Sequence, residues 1–257
     1  MYIDTHSHIY EEEFREDQAE VVARAIQTGV EKIILPDIDS ESRNRMLQLV
    51  DKYPTMMFPL VGLHPTSIHE NYPTELAYVE REVGTRDYYG IGECGIDLYW
   101  DKTYYREQIK AFEHQLGIAR DMNFPVVIHS RDSLQEIFEI LKKHTHVRGI
   151  LHCFPGNANE ARQAIDMGFL IGIGGVVTFK KSIMAETVRE IGIKHLVLET
   201  DAPYLAPTPY RGKRNESSYI PYIAAKISEI TGEEIKKIEE TTTQNAMNLF
   251  NLHSENV

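Results

Sequence analysis

Short apolar runs alternate with longer amphipathic stretches along the chain. The apolar runs cover residues 2–9, 32–38, 57–64, 89–97, 125–130, 149–154, 169–174 and 196–200. They are rich in Ile, Val and Leu, and several are bounded by Gly or Pro. That pattern predicts parallel strands buried on both faces. Between them, apolar residues recur at helical spacing over 17–27, 42–52, 104–122, 133–144, 158–167 and 182–191. Asn157 stands where a helix N-cap is expected and Gly29 where a helix stops.

Eight strand-like runs with helices between them match an α/β fold of one kind, the closed (β/α)8 or TIM barrel. An open, doubly wound sheet is the alternative, and it calls for a glycine-rich turn after the first strand. Here that turn reads Thr5-His-Ser-His, without a glycine, so a nucleotide-cradling loop is absent. Residues 217–231 supply the eighth helix. Residues 233–250 supply an additional C-terminal helix, expected to pack across the barrel's outside. No Ser/Gly-rich linker divides the chain, so a single domain over 1–257 is expected.

Composition narrows the functional classes. The chain has 257 residues, 42% of them hydrophobic, enough for one well-filled core. Lys plus Arg number 27 against 39 Asp plus Glu, a formal charge of −12. That balance argues against coating duplex DNA or an anionic membrane through bulk charge, although it permits a local basic pocket. No apolar run is long enough to span a bilayer, and the N-terminus lacks the features of a secretory signal. Cys94 and Cys153 are too few to staple such a chain. A cytoplasmic protein is expected, with no membrane association and no obligatory protein partner.

Six potential metal ligands fall at predicted strand ends. His6 and His8 end the first strand, Glu93 the fourth, His129 the fifth, His152 the sixth and Asp201 the eighth. Residues two apart on a strand point to one face, so both imidazoles of the first pair can reach one ion. A barrel gathers the C-terminal ends of its strands into one rim. Any one of these histidines alone would read as an ordinary surface or core residue. Together, four imidazoles and two carboxylates suit Zn, Mn or Mg ions and exceed what one tetrahedral ion with an open position needs. Two ions are therefore expected, with the two oxygens of Glu93 as the candidate bridge.

At this point the residues carry a resemblance. Asp4-Thr-His-Ser-His, Gly62-Leu-His-Pro, Gly92-Glu-Cys-Gly-Ile-Asp, Ile128-His-Ser-Arg, Leu151-His-Cys-Phe and Leu198-Glu-Thr-Asp-Ala-Pro-Tyr-Leu resemble the TatD family of metal-dependent deoxyribonucleases. The resemblance extends through the Pro209-Tyr-Arg-Gly-Lys-Arg-Asn-Glu stretch to about Phe250. It implies an amidohydrolase-like barrel in which His6, His8, Glu93 and Asp201 hold one ion, and Glu93, His129 and His152 the second. Two divalent ions about 3.5–4 Å apart can clamp a phosphodiester around the hydroxide that attacks it. The expected reaction is thus exonuclease-like trimming of DNA, on single strands or strand ends, with Asp201 both a ligand and the proton acceptor.

Other residues have two readings each. His64 shares parity with Leu60 and Gly62, so it either contacts substrate phosphate or is structural. Glu199, two before Asp201, either orients a ligand or is a buried structural carboxylate. Arg211, Lys213 and Arg214 follow the eighth strand, where phosphate sites recur in barrels, and are otherwise a solvated loop. Tyr99, Trp100, Tyr104 and Tyr105 either stack on bases or pack. Cys94 and Cys153 each follow a ligand and should turn away into packing, while Glu11, Glu12, Glu13, Glu16 and Asp17 read as a solvated face. Two rivals stay open: another ester or amide hydrolase on this scaffold, such as an aminoacyl-tRNA deacylase, and a non-catalytic metal- or nucleic-acid-binding protein.

Overall fold

Each of the eight apolar runs overlaps a strand: β1 (Tyr2–Asp4), β2 (Val30–Leu35), β3 (Met57–Pro59), β4 (Ile91–Asp97), β5 (Val126–Arg131), β6 (Gly149–Leu151), β7 (Phe169–Ile173) and β8 (Leu196–Leu198). The computed structural model describes residues 1–252, so positions 253–257 of the expected domain span lie outside the described residues. β1-β2-β3 form one parallel ladder and β4-β5-β6-β7-β8 another. Isolated parallel bridges join them at both seams, Val61 with Ile91 and Ser7 with Ala202. At the second seam Thr5 N–H donates to the Leu198 carbonyl (2.9 Å), Asp201 N–H to that of His6 (2.8 Å) and His8 N–H to that of Ala202 (2.8 Å). The ring therefore runs in chain order, with β8 beside β1.

The helices are α1 (Gln18–Gln27), α2 (Ser40–Lys52), α3 (Tyr72–Glu82), α4 (Tyr105–Met122), α5 (Leu134–Leu141), α6 (Ala158–Asp166), α7 (Met184–Ile191), α8 (Ile220–Thr231) and α9 (Ile235–Phe250). Asn157 caps α6 as expected, its side chain accepting from the N–H of Asn159 and Glu160 while Glu160 reaches back. Gly29 follows α1 with φ +85°, the left-handed stop that glycine adopts without strain. α3 is an addition to the sequence expectation. It opens with a proline and buries only Leu76 and Val79, a stripe too thin to read in the sequence. No helix among the described residues is long and apolar enough to cross a membrane.

Strand alternation divides the core in two. Ile33, Leu35, Cys94, Ile96, Val126 and Ile128 face the helices. Their neighbours Ile34, Val127, Ile150 and Val197 fill the lumen with Ile3, Phe58 and Leu60. Ala246, Leu249 and Phe250 of α9 join this lumen cluster with Leu252. The expectation that α9 lies only across the outside is thus corrected: its C-terminal turns enter the interior cluster. Each such buried Leu or Phe contributes about 1.5–3 kcal/mol. The opposite end of the lumen is polar.

Candidate metal centre

His129 and His152 continue the inward parity of Val127 and Ile150, and Glu199 that of Val197. The chain bends at Thr5, beyond β1, and this turn shifts parity so that His6 and His8 face inward rather than Thr5 and Ser7. Their side chains meet as expected, with Nε2 atoms 3.1 Å apart. Several expected placements change. Glu93 and His129 lie within β4 and β5, not at their ends, His6 and His8 stand two and four residues past β1, and Asp201 stands three past β8 with φ +56°. Glycine makes room: a Cβ on Gly172 would stand 2.4 Å from Glu199 Oε2.

Glu93 is the hub. Its Oε2 lies 3.0 Å from His6 Nε2 and 3.4 Å from His8 Nε2. Its Oε1 faces the other histidines, at 2.8 Å from His129 Nδ1, 3.1 Å from His152 Nε2 and 3.3 Å from His64 Nε2. Asp201 Oδ1 is 3.7 Å from both His6 and His8 Nε2. Three donor groups have the spacing of a shared cation: His6, His8 and Glu93; His6, His152 and Asp201; and His64, Glu93 and His129. Atoms bound to one ion at about 2.1 Å stand about 3–3.5 Å apart, which the first group matches. The donor set fits divalent cations.

Partners on the far side of His8 and His129 fix which nitrogen faces the centre. Tyr10 donates its hydroxyl to the Pro36 carbonyl (2.5 Å), so it accepts from His8 Nδ1–H at 2.8 Å and leaves the Nε2 lone pair free. Asp97 Oδ2 accepts from His129 Nε2–H at 2.9 Å, leaving Nδ1 toward Glu93. Glu199 Oε1 lies 3.4 Å from His152 Nδ1 and accepts the Cys153 N–H. His64 differs: its Nδ1 accepts from the Thr66 N–H at 3.1 Å, so the neutral ring carries its proton on Nε2. It presents a donor to the centre, not a lone pair. Asp4 accepts from Thr200 N–H (3.0 Å), Thr200 Oγ1 (2.6 Å) and His6 N–H (3.3 Å), tying β1 to the β8 end.

Sequence reasoning assigned no role to Asp97, Tyr10 or Asp4. Parity was the available signal for two of them: Asp97 is four residues after Glu93 on β4, and Tyr10 is two after His8.

Burial and mutual charge set the protonation pattern. Burial alone would raise the Glu93 carboxyl, yet His152, His6 and His64 hold it well below the usual range. Burial pushes Asp201 up to about 6, against the pull of His152 and His8. Burial and the neighbouring His152 hold His6 well below the ordinary imidazole value, and burial also lowers His64. On His152 burial is outweighed by Glu93 and Glu199, and on His129 by Asp97 and Glu93, so both are raised.

The remaining candidates separate. Arg214 is engaged elsewhere, with Nη1 and Nη2 at 2.8 and 2.6 Å from the Asp17 carboxylate and the guanidinium 4.5 Å over Phe14. Asp17 and Glu11 are accordingly paired with arginines and are not simply a solvated face. Arg211 lies over Phe179 and, with Lys180, Lys181 and Thr208, lines a cavity of about 660 Å³ between the loops after β7 and β8. Lys213 is exposed. Cys94 is buried, as packing requires, whereas Cys153 is partly exposed beside His152 with φ +42°. Tyr104 and Tyr105 pack against the core, while Tyr99 and Trp100 are exposed.

The family model described as TatD related DNase matches residues 3–251. A metal-dependent hydrolase of Bacillus subtilis, YabD, is 36% identical over 98% of this chain and 100% of its own. A protein of Pectobacterium carotovorum named 3'-5' ssDNA/RNA exonuclease TatD is 30% identical over 93% of this chain and 95% of its own. The crystal structure of YJJV, a TatD homologue from Escherichia coli K12, superposes with a TM-score of 0.92 at 29% identity, covering 97% of this chain and 98% of that one.

Proposed function

The chain belongs to the TatD-related DNase family and is a metal-dependent hydrolase acting on ester bonds; from that premise we propose that it cleaves phosphodiester bonds at the ends of DNA strands, with two divalent ions per chain. The observation that carries the proposal is the division of Glu93: one oxygen toward His6 and His8, the other toward His129 and His152. His6, His8, Glu93 and Asp201 would hold one ion, and Glu93, His129 and His152 the other. Bound there, divalent cations supply Lewis acidity toward phosphoryl oxygens. Their charge would outweigh the two carboxylates, so the pocket attracts phosphate although the chain carries −12 overall.

The chain's own residues do the rest. Asp201 accepts the proton of the attacking water. His64 donates its Nε2–H to a phosphoryl oxygen. Glu199, Asp97 and Tyr10 hold His152, His129 and His8 in their working tautomers. Arg211 and Lys213 meet the phosphates of the strand beyond the centre. The relative named as an ssDNA/RNA exonuclease supports this substrate class, and the free thiols of Cys94 and Cys153 suit a cytoplasmic setting.

The test is to strip the protein, reload it with Zn, Mn or Mg, and incubate it with end-labelled single-stranded DNA, duplex DNA and RNA. Simple esters and aminoacyl-tRNA run alongside. Stepwise shortening of DNA from one end, with close to two ions per chain by elemental analysis, is the expected result. Loaded protein that cleaves the esters and leaves every oligonucleotide intact would overturn the proposal.

A further inference from the structure

The loop after β4 carries Tyr99 and Trp100, 55% and 69% exposed. Large aromatic rings left in water in this way are costly unless something covers them. The two rings meet edge to face, with centroids 4.9 Å apart and planes at 87°. The Arg131 guanidinium lies 3.9 Å from the Tyr99 centroid and 5.1 Å from that of Trp100. Arg131 ends β5, two residues past the ligand His129, and its carbonyl accepts the Leu98 N–H at 2.9 Å.

One carboxylate links this cluster to the metal centre. Asp97 Oδ2 meets His129 Nε2, while Asp97 Oδ1 accepts from the backbone N–H of Tyr99 (2.9 Å) and Trp100 (3.3 Å). Tyr99 is only two residues from Asp97, at most about 7 Å along the chain. A packing loop would not place its aromatic residues outward, and Tyr104 shows the contrast by packing on His69 at 5.8 Å.

We propose that Tyr99 and Trp100, backed by Arg131, are a stacking platform for an unpaired base beside the scissile phosphodiester, and that this platform selects single-stranded ends. The proposal rests on the phosphodiester reading of the metal centre. Every base has a π-face, so stacking tolerates any sequence, and the arginine adds cation–π attraction and a positive charge near the strand. Bases inside a duplex are already stacked on both sides and cannot reach the rings.

Trp100 is the chain's single tryptophan, so its fluorescence reports the platform directly. The metal-loaded protein is titrated with a cleavage-resistant phosphorothioate oligothymidylate, an abasic chain of equal length, and a blunt duplex. The oligothymidylate should quench Trp100, and the other two should not. Tyr99→Ala should weaken oligothymidylate binding about 5- to 150-fold, while Tyr99→Phe restores it. Both substitutions are at an exposed ring and cost little folding energy. Equal quenching by the abasic chain, or unchanged affinity in Tyr99→Ala, overturns the platform even if the protein degrades DNA. The stated quenching pattern in a protein that cleaves no nucleic acid would uphold the platform and refute the proposed hydrolysis.

Discussion

Asp97 Oδ2 lies 2.9 Å from His129 Nε2, on the side of the imidazole away from the Glu93 carboxylate, which meets Nδ1 at 2.8 Å. The ring is held between two carboxylates, so its orientation is fixed and its Nδ1 is aimed at the centre. Asp97→Ala should reduce the affinity of the cation site proposed at Glu93, His129 and His152 about 10- to 100-fold, the usual effect of losing such a partner. Competition against a fluorescent chelator measures it. An unchanged pair of affinities would show that the ring needs no partner.

Replacing Asp201 and replacing His6 should have different consequences. Asp201→Asn keeps one oxygen toward the cation but removes the basic site, so much of the metal should stay while kcat falls at least ~100-fold. His6→Ala removes a nitrogen that faces Glu93, His8 and Asp201 at once, so metal content and activity should fall together. Parallel elemental analysis and turnover assays separate the two. Near-normal turnover in metal-replete Asp201→Asn would show that Asp201 is not the base.

Metal-free protein should show the cost of Asp201 in its pH dependence. The carboxyl takes its proton at about 6 when folded, against an ordinary value of 3.8. The folded state binds that proton more tightly, so this group's contribution to stability is fully present below about pH 4 and is lost as pH rises through about 6. The loss amounts to about 3 kcal/mol at most. Metal-free Asp201→Asn should therefore resist urea better than metal-free wild type at pH 8, and the two should converge toward pH 4. Urea midpoints at three pH values test it, and a difference independent of pH would contradict it.

The arginines after β8 should divide by role. Arg211→Ala combined with Lys213→Ala should raise KM for oligonucleotides with metal content unchanged, the mark of lost uniform binding. Arg214→Ala should instead act on stability, by about 1 kcal/mol, because its guanidinium is committed to Asp17. Thermal melts beside KM measurements distinguish the two. A KM effect as large in Arg214→Ala would return Arg214 to the substrate path.

The parts of this molecule legible in the sequence are those governed by short-range rules. Ile-, Val- and Leu-rich runs bounded by Gly or Pro gave all eight strands, since strands buried on both faces need no longer signal. The His6–His8 spacing carried its convergence because alternation is local. α9 was misplaced for a physical reason: Ala246, Leu249 and Phe250 form an ordinary amphipathic stripe, and a stripe does not say what it faces. Arg214 looked like a free phosphate ligand because Asp17, its partner, lies 197 residues away. Asp97 escaped notice because a carboxylate's meaning came from the ring beside it on β5.

The seam between β1 and β8 has a consequence for how the protein is made. The hydrogen bond from Asp201 N–H to the His6 carbonyl both closes the barrel and sets these two ligands side by side. Asp201 follows His6 by 195 residues along the chain. Until β8 has docked, the segment that carries His6 and His8 is held on its β2 side only. A chain cut short of β8 would therefore lack both Asp201 and the second wall that fixes His6 and His8 in place.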